Sequence, residues 1–175
     1  RIADVGDAMT PDVERIVQLR PDAILLSPFE NSGGYGRFEK YGIPIVECAD
    51  YMETSALARA EWMRFYGLLY GKGKEADSLF SSIERRYKEL KALVAEKKNG
   101  PQLLCDLKGG AAWYVPGGKS YLGQLYNDAG GNYSFDYLDD SCSVPLSFDA
   151  VYDKAMNADV WLIKYNAEKD KTYSG

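Results

Sequence analysis

Short apolar runs alternate with amphipathic segments along most of the chain. The first amphipathic segment opens on Thr10-Pro11-Asp12, which is typical of a helix start with Thr10 as the cap, and Pro21 ends it. An apolar run follows immediately, and three more occur further along; the four predicted strands are 22–27, 43–47, 102–107 and 159–164. Alternating helices and uninterrupted apolar strands indicate a parallel sheet that helices cover on both faces.

The middle of the chain has a different pattern. Residues 55–70 predict one helix, 71–74 interrupt it, and 75–98 predict a longer one with a single apolar stripe. At 1.5 Å per residue this second helix is about 35 Å long, the width of a small domain. The predicted fold class is therefore α/β, with two Rossmann-like lobes joined by a long α-helix and each lobe incomplete in this piece. The predicted divisions are residues 1–54, 55–99 and 100–175.

Two stretches repeat one order of features. Residues 13–22 and 148–159 each carry an acid at a helix start, a short amphipathic helix and an Asp before an apolar strand. The spacing from the acid to that Asp differs by two residues. The repeat supports the assignment of the two stretches to different lobes.

Composition excludes two classes of partner. The net charge is −5 and the pI is about 4.9, without a dense basic stripe of the kind that phosphate backbones require, so we expect no nucleic-acid binding. The apolar runs all fall short of the 18 residues that predict a membrane span. The sequence opens on Arg1, so we expect a piece from which a signal segment has been removed.

The chain contains no histidine and only three cysteines. Catalytic Ser-His-Asp triads and Cys-His dyads are therefore excluded within this chain, as are metal sites with histidine ligands. Cys48, Cys105 and Cys142 lack zinc-ligand spacing, and we expect Cys48 and Cys105 to be small buried apolar residues. We predict neither an enzyme nor a resident metal or cofactor.

Five segments, in order along nearly all 175 residues, resemble the periplasmic substrate-binding proteins of ABC importers for ferric siderophores, haem and cobalamin. They are DVERIVQLRPDAILLS, FEKYGIPIVE, FYGLLYGKGKEADSLFSSIERRYKEL, PGGKSYLGQLYNDAGGNYSF and LSFDAVYDKAMNADVWLI. The resemblance implies an extracytoplasmic solute-binding component, either periplasmic or a cell-surface lipoprotein. An iron complex, haem or cobalamin would be its transported ligand, bound between two lobes, and ABC permease subunits would be its partners.

The resemblance also assigns a docking role to two acids. Glu14 matches the glutamate with which this family docks its first lobe on permease arginines, and Asp149 falls where the second lobe carries its own acid. Charge-assisted pairs on rigid helices suit such docking. The alternative is that acids in a first helical turn simply favour the helix dipole.

Ligands of open α/β sheets bind over the carboxyl ends of the strands. Three loops follow the first three predicted strands, at residues 29–35, 48–51 and 109–121. They predict four aromatic ligand contacts: Tyr35, Tyr51, Trp113 and Tyr114. Flat aromatic faces suit porphyrins, corrins and catecholates, and a tyrosine phenolate can ligate haem iron. Core packing or a surface turn is the alternative for each. Because Trp113 and Tyr114 are adjacent, we expect one of them to point inward.

Other interpretations remain open at this point. Gly117-Gly118-Lys119-Ser120 is similar to the end of a phosphate loop, but the required earlier glycine falls on Trp113, so we interpret it as a tight turn before a helix at Tyr121. A Rossmann-like two-lobed enzyme, of the glycosyltransferase or metal-chelatase type, is a second alternative. A sensor ectodomain of the same fold is a third.

Overall fold

The computed structural model of the chain describes residues 2–31, 35–96 and 100–164; the side chains of residues 30, 31, 35, 37 and 39 lie outside the description. The described residues form two compact units that divide between Met52 and Glu53.

The first unit is a small α/β assembly. Its elements are β1 (Gly6–Asp7), β2 (Thr10–Pro11), α1 (Val13–Leu19), β3 (Ile24–Leu26), α2 (Pro28–Asn31), a 3-10 helix (Tyr35–Tyr41), β4 (Ile45–Glu47) and a 3-10 turn (Asp50–Met52). Strands β3 and β4 pair in parallel, with Ile24 opposite Ile45. Four buried side chains form the core, namely Ile16, Leu26, Phe38 and Ile43.

Two antiparallel helices open the second unit, α3 (Ala56–Leu69) and α4 (Gly73–Ala95). Ser55 caps α3 by accepting a hydrogen bond from the Ala58 amide. A side chain at Gly67 would collide with Ala76, so glycine allows the two helices to approach closely. Arg64 joins them as well: its Nε lies 2.8 Å from an Asp77 carboxylate oxygen.

The rest of the second unit contains a three-stranded parallel sheet, a two-stranded ribbon and two helices. The remaining elements are β5 (Gln102–Cys105), β6 (Trp113–Pro116), α5 (Tyr121–Asp128), β7 (Asn132–Tyr133), β8 (Ser143–Leu146), α6 (Phe148–Ala155) and β9 (Val160–Leu162). The sheet order is β7-β5-β9, and β6 pairs antiparallel with β8. The core lies beside β5 and consists of Leu103, Leu104, Cys105, Trp113, Val115, Tyr133, Phe135, Val151 and Ala155.

The predicted helices and strands are confirmed, with two corrections. All four predicted strands contain observed ones, and the long helix spans Gly73–Ala95. The predicted cap of α1 is wrong, because Asp12, not Thr10, accepts the hydrogen bond from the Arg15 amide. The predicted loop after the third strand is wrong in part: it contains β6, whose partner β8 lies about thirty residues later. Among the described helices, none is long and apolar enough to cross a membrane.

Candidate functional site

The carboxyl ends of β3 and β4 in the first unit present an aromatic side chain. Cys48 is buried and its amide donates to the Leu26 carbonyl, which holds the end of β4 against the end of β3. Three residues later, Tyr51 is 46% exposed in the 3-10 turn that follows. The side chain of Tyr35, the other candidate of this unit, lies outside the described residues.

At the ribbon of the second unit, the two adjacent aromatic candidates have different environments. Trp113 is 6% exposed and its indole N–H donates to the Cys105 carbonyl at 3.1 Å, whereas Tyr114 is 56% exposed. Successive side chains of a strand point to opposite faces, so the expectation that one of the pair turns inward is confirmed. Trp113 also lines an apolar cavity of about 320 Å³ with Phe148, Tyr152 and Trp161.

The carboxyl ends of β5 and β9 carry a charged pair that the sequence interpretation missed. Asp106 follows β5, and both of its carboxylate oxygens lie near the ammonium of Lys164, Oδ1 at 3.1 Å and Oδ2 at 3.3 Å. Lys108 lies two residues on, where its ammonium donates to the Gly110 carbonyl at 3.0 Å. Asp106 and Lys164 lie at the ends of two predicted strands and Lys108 follows the first of them, but the sequence pattern does not show that these two strand ends meet.

The buried thiol of Cys105 offers no nucleophile. Its Sγ lies 3.4 Å from the Tyr133 hydroxyl, which itself donates to the Pro116 carbonyl at 2.6 Å. Burial raises the pKa of Cys105 to about 11 and raises that of Tyr133 as well. Both groups are therefore protonated at neutral pH, and they tie β5 to the end of β6.

Every backbone amide of the phosphate-loop-like turn is already used. Gly117, Gly118, Lys119 and Ser120 donate to the carbonyls of Cys142, Leu138, Asp140 and Gly117 respectively. A phosphate cradle needs such amides free. The turn is instead structural, and Ser120 caps α5 by accepting from the Gly123 amide.

The two proposed docking acids occupy equivalent positions in their helices. Glu14 is the second residue of α1 and Asp149 is the second residue of α6, and both are exposed. The cap in each case is another residue, Asp12 for α1 and Ser147 for α6. The side chains of Glu14 and Asp149 make no hydrogen bond or ion pair within the described part of the chain. Both carboxylates are therefore available to a partner.

Candidates for a metal centre are lacking in the described residues. Within 2–31, 35–96 and 100–164, no three acids or cysteines come together as metal ligands. Cys48 and Cys105 are buried free thiols, as expected, and Cys142 is an exposed one.

Comparison with known proteins places this α/β chain in a family. A family model described as "Periplasmic binding protein" matches residues 1–174. The chain belongs to the periplasmic binding protein family. That family consists of binding proteins rather than enzymes, so the predicted resemblance and the predicted absence of enzyme activity agree with the match.

Relatives of known sequence match over most of the chain. An uncharacterized lipoprotein of Methanocaldococcus jannaschii is 26% identical over 167 residues, which cover 93% of this chain and 40% of the relative. The iron-uptake system-binding protein of Bacillus subtilis is 25% identical over 129 residues, 71% of this chain and 38% of the relative. The chain thus spans about two fifths of the length of these relatives.

Solved structures share the fold. A possible iron-binding (periplasmic solute-binding) protein of Staphylococcus epidermidis has a TM-score of 0.70 at 17% identity, over 90% of this chain and 60% of that one. The haem complex of IsdE from Staphylococcus aureus has a TM-score of 0.63 at 19% identity, over 91% and 59%. The vitamin B12 binding protein of Vibrio cholerae has a TM-score of 0.60 at 18% identity, over 94% and 62%. The predicted fold class is confirmed.

Proposed function

We propose that the intact protein is the extracytoplasmic solute-binding component of an ABC importer for an iron complex, haem or cobalamin. The family match over residues 1–174 is the observation that carries this proposal. The names of the similar proteins support the ligand class, since they include an iron-uptake binding protein, a haem complex and a vitamin B12 binder.

The ligand is proposed to bind between two lobes, over the carboxyl ends of the strands. Tyr51 and Tyr114 support this location because each is about half exposed beside such an end or on the ribbon that follows it. Trp113 contributes through the cavity that it lines, and Tyr35 completes the proposed set. Aromatic faces would contact a flat macrocycle or catecholate rings.

Docking on the permease is proposed to use one acid in each lobe, Glu14 and Asp149. Three observations support a pair that acts on a partner: the equivalent helix positions of the two acids, their exposure, and the fact that other residues cap both helices.

The organisation into lobes is proposed as well. Residues 1–54 and 100–175 would form two lobes, and residues 55–99 would join them, with α4 as the long linking helix. The location is proposed to be the periplasm or, by a lipid anchor, the cell surface.

An absorbance titration of the full-length protein with haemin, cobalamin and a ferric tris-catecholate tests the function. One of the three should bind with a saturable spectral change, and Tyr51→Ala and Tyr114→Ala should weaken it. Tyr70→Ala is the control, because Tyr70 is also an exposed tyrosine but lies at the end of α3. Failure of all three ligands to bind the full-length protein would refute the proposal.

A further inference from the structure

Asp106 adopts a backbone conformation that residues with a Cβ atom rarely adopt. Its φ is 60°, in the left-handed region. Among the described non-glycine residues only Arg20 shares a positive φ, and Arg20 is the ordinary left-handed residue that ends α1. Asp106 ends no helix; it stands directly after β5. Strained residues of this kind cluster at functional sites.

Contacts from the end of β9 hold Asp106 in place. Its amide donates to the Leu162 carbonyl at 2.8 Å, and its carbonyl accepts from the Trp161 indole at 2.8 Å. Its carboxylate meets the Lys164 ammonium at 3.1 Å. The amide, the carbonyl and the carboxylate of Asp106 thus each contact a different residue at the end of the neighbouring strand.

The consequence is that the Lys164 ammonium is held at this edge of the sheet. The Lys164 side chain is 67% exposed and that of Asp106 only 18%. An ammonium has three donors, so Lys164 can serve a second acceptor from solvent while Asp106 holds it. Lys108 adds a second positive charge in the segment that follows β5.

We infer that Lys164 is a ligand contact that selects an anionic oxygen. The inference rests on the proposed function and narrows it: the preferred ligands are anionic chelates, such as haem through its propionates or a ferric tris-catecholate, rather than cobalamin. A charge-assisted N–H···O⁻ bond at a fixed ammonium discriminates between an anionic oxygen and a neutral one. Asp106 is not itself a contact; it keeps the ammonium at the carboxyl end of β5.

The test compares Lys164→Gln, Lys164→Arg and Lys74→Gln in the full-length protein. Each variant is titrated with haemin, haemin dimethyl ester, a ferric tris-catecholate and cyanocobalamin, and the midpoint temperature of its thermal unfolding is recorded. Lys74→Gln makes the same change in net charge at an exposed position of α4. Lys164→Gln should weaken binding of the anionic ligand about tenfold, the loss expected for a hydrogen bond to a charged group. Lys164→Arg should restore most of it, and Lys74→Gln should match the wild type.

Haemin provides a second, independent arm, because its dimethyl ester lacks the charged propionates. If haemin is the ligand, the ester should bind the wild type as weakly as haemin binds Lys164→Gln, and the substitution should not weaken the ester further. Equal binding of anionic ligands by wild type and Lys164→Gln would overturn the inference and leave the proposed function standing. So would a wild-type preference for cyanocobalamin, or a lowered thermal midpoint with equal loss for every ligand. Absence of binding to all four ligands would refute the proposed function itself.

Discussion

The stretches that carry α1–β3 and α6–β9 follow the same order of features in the two units. Each begins with a side-chain cap, Asp12 or Ser147, and has an acid as the second residue of the helix. Each ends in a short strand that pairs in parallel with another, β3 with β4 and β9 with β5. The local sequence signals are alike because a cap, an amphipathic turn and an apolar run have the same physical effect in any unit.

The two units differ in what surrounds that shared element. The first closes over four buried side chains, of which one is aromatic. The second adds the β6–β8 ribbon and a layer of rings in which Trp113 lies 6.0 Å from Trp161 and 6.4 Å from Phe148, measured between ring centroids. The carboxyl ends of the strands therefore differ between the units. Tyr51 is exposed near those of the first unit, and Lys164 pairs with Asp106 at those of the second. The same local element therefore presents different chemistry according to its neighbours.

Removing one buried ring from each core should give the largest effect. Phe38→Ala and Phe135→Ala should each lower the free energy of unfolding of their own unit by about 3–5 kcal/mol, because both rings are fully buried and leave a cavity. All three tryptophans lie after residue 53, so tryptophan fluorescence during urea unfolding reports on the second unit. Phe135→Ala should shift that transition strongly. An equal shift by Phe38→Ala would show that the two cores do not act separately.

Alanine at one glycine of each unit separates a steric requirement from a conformational one. In Gly118→Ala the new methyl group would collide with the Asp136 carbonyl, so we expect a loss of about 1–3 kcal/mol. In Gly42→Ala the space is open and only the positive φ of 69° opposes alanine, so the loss should be about 1 kcal/mol. Urea unfolding measures both. A neutral Gly118→Ala would contradict the structural interpretation of the turn at 117–120.

The docking acids provide a comparison that leaves both cores intact. Glu14→Ala and Asp149→Ala in the full-length protein should each weaken binding to the reconstituted permease by about 1–3 kcal/mol, with ligand affinity unchanged. Asp153→Ala, one turn further along α6 and also exposed, is the matched control. Binding to the permease and ligand titration are measured separately. Docking that survives both substitutions would refute the acid pair.

The two caps should give the smallest effect, and a similar one in each unit. Asp12→Ala and Ser147→Ala should each lower the free energy of unfolding by about 1 kcal/mol, because an amide of the first helical turn loses its acceptor. Hydrogen exchange of the Arg15 and Ala150 amides locates the loss. Permease docking should not change. A docking defect as large as that of Asp149→Ala would mean that the acids act only through helix stability.

The candidate site was predictable only where local order decides it. Tyr51 and Tyr114 follow from aromatic residues near strand ends, and Glu14 and Asp149 from the resemblance. Trp113 shows the limit: strand alternation requires one ring of the pair to turn inward, but which one depends on the pairing of β6 with β8, about thirty residues away. Asp106 and Lys164 were missed because two residues 58 apart meet only when β5 and β9 pair.

By itself, the sequence determined the α/β class, the positions of four strands and the long helix, because apolar periodicity and helix-end signals act over a few neighbouring residues. It also determined the family, since those signals occur in a characteristic order. Only the tertiary structure decided which residue caps α1, that a ribbon replaces part of a predicted loop, and that the amides of residues 117–120 are occupied. The ribbon and three of the four occupied amides depend on partners that are distant in the chain, and for each donor only the folded backbone fixes which acceptor lies within reach. The cap of α1 is a local contact, but it falls to Asp12 in a fold where Thr10 and Pro11 pair with β1.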